Sequence, residues 1–207
     1  MNIPEEWAMD TQVPFDIEQE LSSLRNNLNS HEIYQSLKKS IFNREFPWYY
    51  QNESTSSSDH IDGHTNHPYY SHIILRRPDD NKNRYTEVKS GGIELAVKCI
   101  SEILEFNNID LNSNFFFTRI NVNCTFPIEG NQFTIPHHDH KFPHTNFICY
   151  LTDNHGGGGR TFIEGYPPHE PIEDQVIIFN GKHSHYMELP RKGRRIIIVG
   201  TMILWEQ

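Results

Sequence analysis

Apolar positions along the chain change their spacing near residue 115. Upstream they recur at helical intervals: Ile17, Leu21, Leu24 and Leu28 within 16–29, then Ile33, Leu37 and Ile41, then Ile93, Val97, Ile100 and Leu104 within 93–106. Such spacing lines one face of a helix. Ser30 is the candidate N-cap of the second helix. Between the second and third helices, Pro47 keeps the aromatic run Phe46-Pro47-Trp48-Tyr49-Tyr50 from being helical. A polar loop follows at 51–67, a strand over Tyr69–Arg76, and a polar connection over 77–92 that ends in Gly91-Gly92.

Downstream the pattern shortens to strand-like segments: 115–124, 133–139, 145–152, 160–164, 175–180 and 195–203. Thr118, Ile120 and Val122 alternate there with Arg119, Asn121 and Asn123. Turn residues separate the segments: Glu129-Gly130-Asn131, Gly156 to Gly159, Pro167-Pro168 and Asn180-Gly181. Many short strands at this spacing predict a mainly β fold of sandwich or jelly-roll type, with the N-terminal helices packed on one sheet. There is no internal repeat, and 207 residues suit one domain able to bury a core without disulfides.

Composition narrows the function classes. No stretch of about 18 apolar residues is present, so no membrane span is predicted. The N-terminus, Met1-Asn2-Ile3-Pro4-Glu5-Glu6, lacks the layout of a signal peptide. Three separated cysteines, Cys99, Cys124 and Cys149, argue against a disulfide framework or a thiolate zinc site. A reducing, cytoplasmic setting is expected, the host cytoplasm if the source is viral. The net charge of −9 argues against a nucleic-acid partner, although Arg191-Lys192-Gly193-Arg194-Arg195 is a local exception. The chain holds 13 histidines, eight of them from His137 to His185, and imidazole is the commonest metal ligand.

Within that window, Ile135-Pro136-His137-His138-Asp139-His140 is the densest cluster. On a strand, His137 and Asp139 point to the same face and bring an imidazole and a carboxylate to one ion. A third ligand is available after the strand at 175–180, from His185 or from His183, which shares its parity. Two histidines and one carboxylate form the facial triad of non-haem Fe(II) oxygenases. Ten residues beyond His185, Arg195 opens the apolar strand Ile196-Ile197-Ile198-Val199. A guanidinium fixed there suits a carboxylate, which it grips as a bidentate fork. Arg194 would point to the opposite face. His138, His140 and His144 are assigned to solvent or to the surroundings of the ligands. The Gly156–Gly159 run reads as a tight turn, because it lacks the Lys-Ser/Thr of a phosphate loop.

These features, over roughly the C-terminal half, resemble the Fe(II)/2-oxoglutarate-dependent dioxygenases, particularly the prolyl-4-hydroxylase-like group and its small phage and bacterial members. His137, Asp139 and His185 match the metal ligands. Arg195 matches the anchor of the 2-oxoglutarate C5 carboxylate, and Tyr150, in Tyr150-Leu151, matches the tyrosine that helps hold it. Gly158-Gly159-Arg160-Thr161-Phe162 and Phe179-Asn180-Gly181 match family segments, and Phe46 to Tyr50 resembles the aromatic N-terminal segment of the phage group. The sequence departs from the pattern at Phe126-Pro127, where relatives carry a tyrosine that contacts the other carboxylate. Asn121 or Asn123 is the candidate substitute.

The resemblance implies a double-stranded β-helix: one dioxygenase domain over 1–207, with 1–114 as scaffold and 115–207 as catalytic core. It implies Fe(II), 2-oxoglutarate and O₂ as cofactors, with ascorbate as a candidate accessory reductant. The expected reaction is C–H hydroxylation with release of succinate and CO₂. The substrate is a protein, a peptide or a small molecule, with peptidyl proline the first candidate. The alternatives are a cupin-type metal-binding module or an inactive relative, and, further off, zinc hydrolysis. The oligomeric state is open.

Overall fold

The computed structural model describes residues 28, 31–54, 64–78, 85–106, 115–129, 133–153 and 157–204. The helix expected over 16–29 lies outside them except for buried Leu28, as does the middle of the 51–67 loop. Helix α1 spans Glu32–Ile41. Its N-cap is His31, which makes no side-chain cap bond, rather than the expected Ser30, which lies outside the described residues. The His31 ring instead packs edge-on against Phe106, 5.3 Å between centroids, and so ties α1 to the end of the next helix. That helix, α2, covers Ile93–Phe106 as the spacing predicts. Its buried stripe is Ala96, Cys99, Ile100, Ile103 and Leu104, leaving Ile93 and Val97 half-buried at its edge.

The strands are β1 (Tyr49–Gln51), β2 (His64–Thr65), β3 (Tyr69–Arg76), β4 (Glu87–Val88), β5 (Phe115–Thr125), β6 (Phe133–Thr134), β7 (Thr145–Tyr150), β8 (Thr161–Ile163), β9 (Val176–Asn180), β10 (His185–Met187) and β11 (Arg195–Leu204). Seven form one sheet in the order β1-β3-β5-β11-β7-β9, with β4 also paired to β3. Two small sheets, β10-β8 and the parallel pair β2-β6, complete the set. Among the described residues the architecture is therefore mostly β with two helices. No sheet closes on itself, so the jelly-roll barrel of the sequence reading is met only at this coarser level.

The centre of the large sheet is buried on both faces, which is why 147–151 and 196–199 read as continuous apolar runs. Phe147, Cys149, Ile196, Ile198 and Met202 pack with Tyr34, Leu37, Ile41, Ile100 and Ile103 of the helices. On the other face, Ile148, Tyr150, Ile177, Phe179 and Ile197 gather with Ile163 of β8. Each fully buried aliphatic side chain contributes roughly 1.5–3 kcal/mol.

One predicted strand is shorter than expected. The segment 133–139 is a ladder only over Phe133–Thr134, followed by a single antiparallel bridge between His137 and His185. Pro136 has no N–H to donate and interrupts the pairing. Strand parity is thus not what aligns His137 with Asp139, because Asp139 already lies beyond the bridge.

Candidate metal centre

The bridge does the positioning. His137 and His185 exchange both backbone hydrogen bonds, N to O at 3.0 Å each way, and their rings lie 4.6 Å apart. His137 Nδ1 donates to Ile135 O at 3.0 Å, which leaves Nε2 as the ring's lone-pair atom. His185 Nε2 lies 3.4 Å from Asp139 Oδ2. One ligand atom from each of His137, Asp139 and His185 falls within 4.8 Å of the others. Donors bound to one ion at about 2.1 Å sit about 3–4 Å apart, so a small closure brings these three into coordination. His183, the alternative ligand, packs instead against Tyr166, 5.3 Å between centroids.

The carboxylate is held from the sheet. Arg119 Nη1 lies 2.5 Å from Asp139 Oδ1, and Arg77 donates to Asp139 O at 2.7 Å. Burial alone would raise the Asp139 carboxyl, but Arg119 and the two imidazoles hold it well below the usual range. Burial, with His185 nearby, pushes His137 down to about 4, the neutral form that a metal requires. With its amide nitrogen donating to Ile120 O, Asn121 accepts from Arg119 Nε at 3.1 Å and Nη2 at 3.2 Å. Asn123 accepts from Ser71 Oγ at 2.8 Å and borders the cavity in front of the triad. His138 is exposed, whereas His140 bonds Thr201 Oγ1 at 2.8 Å and His144 is buried.

That cavity, about 120 Å³, runs between the large sheet and the small ones. Its far end holds Arg195, 3% exposed. Nε donates to Gly159 O and Nη2 to Thr161 Oγ1, both at 2.9 Å, and the guanidinium lies 5.3 Å from the Tyr150 ring centroid. The glycine turn is needed for this. Gly158 has φ +77, and a Cβ there would run into Leu189 O, so the backbone that receives Arg195 passes where no side chain fits. No carboxylate of the described residues pairs with Arg195, and a buried cation without an anion is costly. Arg194 faces away, over the Phe42 ring at 5.7 Å. Tyr150 is fully buried, donates to Thr161 Oγ1 at 2.6 Å, and stands behind the cavity wall.

Among the cavity residues not singled out from the sequence are Arg119, Asn146 and His67. Asn146 and His67 are buried with no partner for any side-chain polar atom among the described residues. The sequence did carry a faint signal for Arg119 and Asn146. Asn146 is a polar residue beside the apolar run 147–151, and Arg119 lies among the polar positions of β5, where a polar group that becomes buried needs a partner.

No family model matches this sequence, and no curated protein matches it. Solved structures do. An oxidoreductase of the 2OG-Fe(II) oxygenase family from Burkholderia pseudomallei is similar at a TM-score of 0.60 and 16% identity, over 84% of this chain and 79% of that one. The chain has the 2OG-Fe(II) oxygenase fold. A Pseudomonas putida prolyl-4-hydroxylase is similar at a TM-score of 0.50 and 15% identity, over 88% of this chain and 97% of that one. The non-haem α-ketoglutarate-dependent epimerase SnoN from nogalamycin biosynthesis is similar at 0.50 and 13%, over 82% and 70%. At such identities the likeness carries the fold, and the chemistry of this 2OG-oxygenase fold rests on its own residues. No helix among the described residues is long and apolar enough to cross a membrane.

Proposed function

We propose that this chain is a non-haem Fe(II)- and 2-oxoglutarate-dependent oxygenase that hydroxylates a C–H bond and releases succinate and CO₂. The observation that carries the reading is one cavity with a His–Asp–His donor set at one end and, at the other, a buried arginine that no carboxylate of the described residues pairs with. A 2-oxo dicarboxylate has matching ends: a keto acid that chelates a metal and a second carboxylate that an arginine binds.

The residues fit both groups. His137, Asp139 and His185 offer two imidazole nitrogens and one carboxylate, which suits Fe(II) and leaves three positions open. Arg195 meets the distal carboxylate, held in place by Gly159, Thr161 and the Tyr150 ring. Tyr150 serves the cosubstrate through Thr161 and Arg195. Asn146, whose buried carboxamide has no partner among the described residues, offers a donor and an acceptor to what occupies the cavity. Iron, when bound, supplies the oxidative chemistry, and the chain supplies orientation and a dry enclosure. The reading takes 1–207 as one catalytic unit, in which Ser54, His67 and Tyr69 of the 1–114 part join the cavity wall.

The Pseudomonas putida neighbour is named a prolyl-4-hydroxylase, so peptidyl proline is the first substrate to test. The deciding experiment adds Fe(II) and 2-oxoglutarate without oxygen and looks for a visible charge-transfer band, then admits O₂ and measures succinate. A band followed by succinate supports the proposal. Metal uptake without consumption of 2-oxoglutarate would make the protein a metal-holding module instead. A zinc hydrolase would leave Arg195 without an anion to bind.

A further inference from the structure

His67 stands in the connection between β2 and β3, immediately before Pro68, and is 2% exposed. Its ring borders the cavity, yet neither nitrogen has a hydrogen-bond partner among the described residues. Buried polar groups in folded proteins are satisfied, and one left open points to a ligand or an ordered water. The position along the cavity tells which. Tyr70 at the start of β3 pairs with Cys124 of β5, and the next β5 residue, Thr125, pairs with Arg195, so the segment leading into β3 arrives at the arginine end. Burial and the Arg195 guanidinium there push this imidazole down to about 4, the neutral form. A neutral imidazole carries one N–H, so His67 brings a donor to the arginine end.

Two hydroxyls at that end, those of Tyr150 and Thr125, already spend their hydrogens on protein acceptors, while Thr161 keeps its own. Tyr150 donates its hydroxyl hydrogen to Thr161 Oγ1, and Thr161 Oγ1 also accepts from Arg195 Nη2. Thr125 Oγ1 donates to Arg195 O at 3.4 Å. Arg195 itself uses Nε and one Nη2 hydrogen on the protein, with the Tyr150 hydroxyl also close by, and still has N–H groups to offer an anion.

We propose that His67 donates an N–H to the same carboxylate that Arg195 binds. The carboxylate contact expected of Tyr150 thus passes to a residue from the N-terminal half. This inference rests on the 2-oxoglutarate reading above.

Calorimetry on the full chain loaded with Mn(II) tests it, using 2-oxoglutarate and oxalate as probes. Oxalate chelates the metal but has no distal carboxylate. His67→Phe keeps an aromatic ring and removes the donor, and His67→Gln restores an N–H. The expected result is 2-oxoglutarate binding weakened about tenfold or more in His67→Phe. Oxalate and Mn(II) binding stay near wild type, and His67→Gln recovers most of the loss. If His67→Phe does not fold, His67→Gln against His67→Ala makes the same comparison, with Mn(II) uptake as proof of folding. Variants lacking the donor that bind 2-oxoglutarate like wild type overturn the role of His67, as does an equal loss for oxalate. Wild-type protein that takes Mn(II) but no 2-oxoglutarate overturns the oxygenase reading itself, and this inference with it.

Discussion

Arg119 reaches from β5 to Asp139 and pairs with it, Nη1 to Oδ1 at 2.5 Å, so the carboxylate of the donor triad is anchored to the large sheet. Without this cation, burial would raise the Asp139 carboxyl, and protons would compete with metal at higher pH. In Arg119→Met, Mn(II) affinity should fall below wild type at pH 6 and approach it at pH 8. Titrations at the two values check this, and an equal ratio at both would show that Arg119 does not act through the carboxylate.

Arg194 and Arg195 are adjacent yet lie on opposite faces, one over Phe42 and the other buried at the end of the cavity. Arg195→Met should weaken 2-oxoglutarate binding by about a hundredfold or more, since it removes charge-assisted bonds of about 1.5–3 kcal/mol each. Arg194→Met should leave it within about twofold, in keeping with an exposed charge. Likewise His185→Ala should abolish tight metal binding and His183→Ala should not. A reversed pattern in either pair would reassign the site.

Gly181 follows β9 and lies under His144. A Cβ there would sit less than 3.0 Å from ring atoms of His144, which is buried and has little room to yield. Gly181 N also donates to His144 O at 2.8 Å. Gly181→Ala should therefore cost about 1–3 kcal/mol in urea denaturation, as overpacking does. It should also weaken metal binding, because the displaced turn leads into His185. A variant as stable as wild type would show that the turn relaxes freely.

Asp174 ties α1 to the sheet. The Tyr34 hydroxyl donates to its Oδ1, and Lys38 Nζ lies 2.6 Å from the same oxygen. Asp174 has φ +64, a left-handed conformation that Asp and Asn tolerate better than most residues. Asp174→Ala strands the buried Tyr34 hydroxyl, whereas Lys38 keeps Glu173 Oε1 at 2.5 Å, and the loss should be about 1–3 kcal/mol. Asp174→Asn keeps an acceptor and the backbone tolerance and should cost clearly less. Equal losses for the two would remove the pairing from the explanation.

Buried histidines set a pH slope for the metal-free protein. Burial pushes His67 and His137 down to about 4 and His140 to about 3, and it lowers His144 and His169 as well. The unfolded chain binds these protons near 6.5, so it takes up more of them than the folded chain between about 4 and 6.5. Stability is fully present above about 6.5 and is lost as pH falls, by about 1.4 kcal/mol per pH unit for His67 alone. Urea denaturation at pH 7 and pH 5 should show the drop, with a shallower slope in His67→Phe. Equal stability at the two pH values would contradict it.

The elements that emerged from local spacing are those whose formation is a local matter. Helix α2 follows the apolar period over 93–106, and β3, β7, β9 and β11 follow runs bounded by turn residues. The donor candidates were legible for a similar reason: His137 and Asp139 are near neighbours, and His185 and Arg195 follow short turns into strands. Where a local rule had a local exception, it erred. Pro136 cut short the strand that was to align His137 with Asp139, and His31 took the cap position expected of Ser30.

Nothing local in the chain links Arg119 to Asp139, His67 to Arg195, or Asn146 to an apolar-walled cavity. These relationships depend on register across β5, β11 and β7 and on the parallel pairing of β2 with β6, contacts between segments far apart in sequence. Residue types and their order define which chemistry is on offer. The folded sheets define which side chains meet at one cavity, because burial leaves only some polar groups without a partner of their own, and only those groups are available to a ligand.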